Sequence, residues 1–493
     1  MTTFKKYILG SVFALTLLFQ FSCKKEFLEI EPKGQKILQT TNDYEQVLNV
    51  SNIQTFLPAN IYMGDEMAAM ESFITEVPIR MQRLYRYDDR IYDAGATPDE
   101  FSSASSNEAI YIRRLYVFNK VINNVMDSEG GTEVQKTAIM SEARVLRAIC
   151  NFMFLSDFSK PYNASTATTD LGIPDITKSD VTQTNFARLS QKENYDLMIK
   201  DITEAIPNLG VLTHRRKISK LTAYAVLARI YFAMNNYAAA KTNLDLAFLE
   251  MPKANIPLAL YDYNIVLNPA GGSQSWLPHT GFGYSANKPQ VINDTETIFN
   301  IDATKTLFSA PNTFVLSERT VGLFDPADKR LNKSDPMDID EASTYPNGMR
   351  RPLFNFSAED VGPVLPDLYL MRAEARARAN DLTGAVQDVQ ALRVKRTSAT
   401  AAPVPTGIAG NQQALVRFIL DERIRELCYT GARWLDMRRL SQDPIYKDHV
   451  KYSHDLFNDA GDVVKSFPLK PERFALKFGE VVLGTSQGLQ ENP

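Results

Sequence analysis

The sequence predicts a mainly α-helical protein: a scaffold of helical hairpins joined to a large irregular, loop-rich region and short β-hairpins. Three observations predict it. Residues 221–252 read Tyr224-x-x-Leu227-Ala228-x-x-Tyr231, then Ala240-x-x-x-Leu244, Ala247 and a closing Pro252. That is the tetratricopeptide pattern, with Tyr for its usual Trp and Ala for its usual Gly. Ala379-Asn380-Asp381-Leu382-Thr383-Gly384-Ala385 repeats the turn of that unit, so a degenerate second hairpin is expected over residues 365–395. Residues 252–363 are rich in Pro and Gly and poor in helix signals; a loop region that long is functional or hides short strands.

The physics of the first hairpin supports the pattern. Small Ala228, Ala240 and Ala247 let two antiparallel helices approach closely. Tyr224, Leu227, Tyr231 and Leu244 fill the space between them. Asn235-Asn236 makes the turn, because Asn tolerates left-handed backbone. Such a unit cannot bury both faces alone, so other helices must stack on it. It binds partners or builds scaffolds and carries no chemistry itself.

The chain begins with an address. Lys5 and Lys6 precede an apolar run over residues 8–19, too short to span a bilayer, which ends at Ser22-Cys23. This resembles a bacterial lipoprotein signal over residues 1–22, with Cys23 as the acylated first residue. An ordinary secretory signal is the alternative. Losing the two lysines takes the formal net charge from −4 to −6. With no basic excess, nucleic acid is excluded as a partner. The chain has 493 residues, 44% apolar and 23% charged, enough for two or three domains or one large helical body. Cys150 and Cys428 read as buried, inert thiols on helices, with a disulfide between them as the alternative in an oxidising compartment.

The remaining elements follow in order. A short helix is expected over residues 42–50. The next fifty residues read as irregular and aromatic, with Tyr85, Tyr87 and Tyr92 among Arg80, Arg83, Arg86 and Arg90. Residues 107–126 form a helix that Gly130-Gly131 breaks. Residues 133–158 form a second, with Ile139, Ala143, Leu146, Cys150, Met153 and Phe154 at helical spacing. Lys160-Pro161 ends it. Ser190-x-x-Glu193 is a capping box for a helix that Pro207 stops. Residues 411–428 form the last long helix. In the tail, Asn458-Asp459-Ala460-Gly461 marks a β-hairpin turn.

Four segments together resemble the SusD/RagB family of nutrient-binding outer-membrane lipoproteins from Bacteroidota. They are Ser22-Cys23 with Phe27-Leu28-Glu29-x-x-Pro32; Glu142-Ala143-Arg144-Val145-Leu146-Arg147-Ala148 with Pro161-Tyr162; Leu370-Met371-Arg372-Ala373-Glu374-Ala375; and Glu422-Arg423-x-x-Glu426-Leu427-x-x-x-Gly431-x-Arg433-x-x-Asp436-x-x-Arg439. The resemblance implies a tetratricopeptide-like scaffold carrying an irregular ligand-binding region. It divides the chain into the leader 1–22, an N-terminal region 23–250, a ligand-binding insertion 251–363 and a C-terminal region 364–493. It further implies a non-enzymatic protein, lipid-anchored on the outer membrane and facing the exterior. Such a protein passes an oligosaccharide, or in some members a peptide, to a TonB-dependent SusC-like transporter.

Candidate site residues divide into two groups. In the Glu422–Arg439 motif, Arg423 and Glu426 share a helix face, Gly431 can close the helix, and Arg433, Asp436 and Arg439 can pair back onto it. We read Glu422, Arg423, Glu426, Arg433 and Asp436 as a structural ion-pair network, and Trp434 as core. For the ligand, sugars present apolar C–H faces to aromatic rings and hydroxyls to amides and charges. Trp276, Phe282 and Tyr284, with Gln274 and His279, offer both; so do Tyr85, Tyr87 and Arg86. The alternative is that these rings plug small cores of their own loops. Gly281-x-Gly283-x-x-Ala286 lacks the flanking strand and helix of a dinucleotide site. His449 and His454 lack helical ligand spacing for a metal. No catalytic residue, cofactor or metal is assigned. A glycoside hydrolase stays open, since its carboxylate pair is spatial and not sequential.

Overall fold

Helix α4, Glu133–Phe158, is the spine of the molecule. Thr132 and Gln135 close a reciprocal capping box at its start, and Lys160-Pro161 follows its end. The structure is a computed structural model. It describes residues 38–56, 59–92, 107–180, 182–270, 272–277, 287–303, 312–338, 342–353 and 361–493. Before α4 come α1 (Thr41–Leu48), α2 (Ile79–Tyr85) and α3 (Asn107–Asn124). After it come α5 (Gln191–Ala205), α6 (Lys220–Ala233), α7 (Tyr237–Glu250), α8 (Leu365–Arg378), α9 (Leu382–Arg393), α10 (Gln412–Leu427) and α11 (Ala432–Ser441). The fold is mainly α and tetratricopeptide-like.

Successive helices pack as hairpins: α3 on α4, α4 on α5, α6 on α7, and α8 on α9. Helix α8 also touches α7 and α10, which carries the stack across the long loop region. The two turns use the residues the sequence marks. Asn235 and Asn380 both have positive φ, 56° and 64°. Asn236 and Asp381 then cap α7 and α9. Ala228, Ala240, Leu244 and Ala247 are fully buried, as are Val389 and Leu392 of the second hairpin. Leu365, Leu368 and Met371 of α8 cover the first hairpin, so the face it cannot bury alone is closed by the second.

A small sheet joins three distant parts of the chain. Strands β1 (Met67–Met70), β2 (Phe314–Leu316), β3 (Ser453–Phe457) and β4 (Val463–Pro468) lie in the order β4-β3-β1-β2. Strands β3 and β4 form the expected hairpin, with Gly461 at φ 90°. Strand β1 pairs parallel to β3 and antiparallel to β2.

Three expectations need correcting. The aromatic stretch after α1 is less irregular than its composition suggests: β1 and α2 lie there, and β1 pairs with the tail strand β3, a pairing that no local pattern reveals. Helix 107–126 ends at Asn124 and tightens into a 3-10 turn, Val125–Asp127. Gly431 does not close α10, which ends at Leu427. It opens α11 instead, at φ 79°, where a Cβ would stand 2.8 Å from the Asn60 side chain.

Ala240→Leu forces methylenes into the closed α6–α7 contact. We expect it to cost about 1–3 kcal/mol in denaturant unfolding. Val134→Ala, at a side chain 79% exposed, is the neutral control.

Candidate ligand-binding site

Helix α10 carries charges where a helix normally carries apolar residues. Glu422, Arg423, Arg425 and Glu426 are all buried. Each is paired. Glu422 meets Arg393 at 2.7 Å and Arg330 at 2.7 Å; Glu426 meets Arg396 at 2.9 Å and Arg330 at 3.0 Å. Arg423 bridges Asp436 at 2.7 Å and Asp367 at 2.8 Å. Arg439 clasps Glu374 through both of its terminal nitrogens, at 2.7 Å each, and reaches Asp436. Burial alone would raise the Asp436 carboxyl; Arg423 and Arg439 outweigh it and hold it well below the usual carboxylate range.

Arg433 departs from the expected pattern. It does not pair back onto α10. Its fork grips Asp65, which also takes Arg319 at 2.9 Å and the Lys451 amide at 2.7 Å. The residue beside it, Glu66, is buried, and among the described residues no side chain hydrogen-bonds its carboxyl oxygens. Burial and the Asp65 charge push its pKa up to about 7.

An open cleft of about 760 Å³ lies beside this lattice, where the loop after α4, the end of α11 and the tail meet. Its walls are tied by one buried guanidinium. Arg438 donates to the Ser159 carbonyl at 2.7 Å, the Lys160 carbonyl at 3.0 Å and the Phe474 carbonyl. Burial lowers its pKa to about 10. Phe474 stacks on Trp434 at 5.1 Å, and Tyr452 meets Phe474 edge-on at 6.5 Å. Trp434 itself is core, 1% exposed. Asn163 and Gln442 face each other across the cleft at 3.2 Å. A second hollow, about 100 Å³, lies inside between α4, α6 and α10. Its polar walls, Asp367, Arg423, Asp436 and Arg439, are already engaged in the lattice, and it has room for about three waters.

The proposed aromatic platform sits differently. Trp276 is buried against Tyr261 at 4.7 Å and Tyr263 at 6.0 Å, with Arg396 over the Tyr263 ring. It plugs a small core, and its backbone amide donates to the Val266 carbonyl at 2.7 Å. Tyr85 and Tyr87 are also buried. They sandwich His454 at 4.3 and 4.5 Å, and their hydroxyls donate to the Asp455 and Met63 carbonyls. Arg86 bonds Gln82 and lies 6.0 Å from the Phe467 ring. As placed, Trp276, Tyr85 and Tyr87 present packed rings and not open faces. Phe282, Tyr284 and Cys23 lie outside the described residues. His449 and His454 are separately engaged, His449 with Asp421 and Arg433.

Two family models match the chain. One, described as the SusD family, covers residues 365–472; the other, described as starch-binding associating with outer membrane, covers residues 26–232. The chain belongs to the SusD/RagB family. A SusD-like protein of Formosa agariphila is 28% identical over 321 residues, 55% of this chain and 62% of that relative's length. Among solved structures, a SusD superfamily protein from Bacteroides vulgatus superposes with a TM-score of 0.69 at 19% identity, covering 92% of this chain and 99% of that one. One from Bacteroides thetaiotaomicron gives 0.68 at 18%, covering 92% and 100%. The surface glycan-binding protein A of Bacteroides uniformis gives 0.61 at 14%, covering 92% and 99%. These likenesses show the SusD fold. The Glu422–Arg439 motif lies within the first family match, and in the structure it is the buried lattice. Sequence reading missed Arg438, an unassigned position inside the motif, and the cleft residues Asn163, Gln442 and Tyr452, which share no local pattern.

Asp436→Asn leaves two buried arginines short of charge and should cost about 3–5 kcal/mol at neutral pH. The Asp436 pKa is depressed, so its stabilisation is present above about pH 4 and lost as pH falls further. Urea melts at about pH 7 and about pH 3 should show the wild-type advantage shrinking in acid. Glu66 has the opposite sign. Its raised pKa favours the protonated fold, a benefit lost as pH rises through about 7. Glu66→Gln should therefore stabilise the protein most above pH 7 and hardly at all near pH 4, read as thermal midpoints across that range.

Proposed function

We propose that this chain is a lipid-anchored, surface-exposed protein of the outer membrane that captures an oligosaccharide and hands it to a partner TonB-dependent transporter. The observation that carries the reading is the match of residues 26–232 to a family described as starch-binding and associating with the outer membrane. The Ser22-Cys23 signal supports attachment through acyl chains on Cys23. Among the described residues no helix is long and apolar enough to cross a membrane. The mechanism is binding and hand-over: the glycan is held by stacking and hydrogen bonds, and no bond is broken. A rigid scaffold suits that role, because a pre-formed site loses little entropy when it binds.

Affinity capture of the tagged chain from gently solubilised native membranes tests the hand-over. A large β-barrel TonB-dependent transporter should come out in near-equal amount; recovery of the chain alone would overturn it. Purified protein should release no reducing ends from glycan mixtures. Release abolished by a single Asp or Glu substitution would make the chain a surface glycoside hydrolase instead.

A further inference from the structure

We propose that the cleft between the α4 loop, α11 and the tail is the glycan site, and that it selects a neutral oligosaccharide. The proposal rests on the glycan-binding reading above and adds a place and a ligand class to it. The volume, about 760 Å³, falls in the range of true ligand sites. The chemistry of the walls narrows the ligand.

Tyr452 supplies the stacking surface. It is 36% exposed, while its hydroxyl donates to the Lys447 carbonyl at 3.1 Å and its ring rests edge-on against buried Phe474. The ring is therefore both accessible and held in place, as a sugar C–H face requires. Trp276, Tyr85 and Tyr87 meet the second condition and fail the first.

Asn163 and Gln442 supply the hydrogen bonds. The Asn163 Oδ1 is used by the Ser165 amide at 3.0 Å and hydroxyl at 2.7 Å, which fixes the side chain. Its Nδ2 donates one hydrogen to Gln442 Oε1, and Gln442 Nε2 donates one to the Ser441 hydroxyl at 3.2 Å. Each amide nitrogen carries two hydrogens, so each keeps one for a ligand, and Gln442 Oε1 keeps a lone pair. Paired donors and acceptors of this kind suit sugar hydroxyls, which both give and accept.

Charge supplies the selectivity. The walls hold two cations, Lys160 and Lys447, and two anions, Asp170 and Glu472. Lys160 and Asp170 neutralise each other at 3.4 Å. No net positive charge is left over to reward a uronate, a sulfate or a peptide carboxylate, and desolvating such a group here would cost affinity. Arg438, a buried cation behind the cleft, gives three of its five N–H groups to the carbonyls that hold the walls.

The test is calorimetric titration of the full chain, purified from membranes in detergent. The probes are neutral gluco-, xylo- and manno-oligosaccharides, oligogalacturonates, sulfated oligosaccharides and a tri- to hexapeptide library. Wild type should bind a neutral oligosaccharide. Tyr452→Ala should weaken it about three- to tenfold, the loss of one ring contact. Tyr452→Phe should bind like wild type, and Gln442→Ala at an exposed site should weaken binding without altering the melting temperature. If Tyr452→Ala fails to fold, Gln442→Ala and protection of Tyr452 from iodination by bound glycan decide the question. Neutral-glycan binding that is unchanged in both variants would overturn the cleft and leave the glycan reading standing. Binding only to acidic glycans or peptides would overturn the ligand class. No glycan binding at all would overturn both readings.

Discussion

Buried charge neutralisation is the constraint on which the rest of this molecule depends. Helix α10 places two carboxylates and two guanidiniums where water does not reach, and none of them is tolerable alone. Their partners come from α8, α9 and the turn after it, α11 and the loop region: Asp367, Arg393 and Arg396, Asp436, and Arg330. Each pair is satisfied only when its two elements sit in one relative position. The lattice therefore acts as a register device for the helical stack. Apolar packing in α6, α7 and α8 supplies the bulk of the burial but would accept small shifts; a bidentate arginine on a carboxylate would not.

The same logic explains the cleft. A hollow between three segments would close by relaxation unless something held its walls apart and fixed. Arg438 does this with carbonyl oxygens alone, one from its own side of the tail and two from the end of α4. The Trp434–Phe474 stack fills the space behind. The binding surface is thus a by-product of how α11 is anchored, and its polarity is set by loop residues that the anchoring leaves free.

Much of the scaffold was legible in the sequence because helical signals are local. The capping box at Ser190 and the Asn turns at 235 and 380 each involve residues within a few positions of one another. The buried charge motif was legible as a motif, because no exposed helix needs so regular a set. Its partners were not: Asp65 lies 368 residues from Arg433. The aromatic loop residues illustrate the same limit. Tyr85 and Tyr87 sit in a segment that reads as open, yet β3 and its His454 cover them from the far end of the chain. Exposure is a tertiary property, and a ring's neighbours in sequence do not report it.

The junction of Asp65, Tyr85 and Tyr87 with the tail also orders events in time. Gly64, Tyr85 and Tyr87 complete their contacts through His454, and Asp65 through Arg433 and Lys451. During synthesis the early segment must wait for nearly the whole chain before its core can close. Until then Met63, Met67, Met70 and the two tyrosines are unpaired apolar surface on an incomplete chain. Contacts of such long separation slow folding and lengthen exposure to aggregation. In a protein built this way the early core closes only on the arrival of the last strands, however fast the helices form.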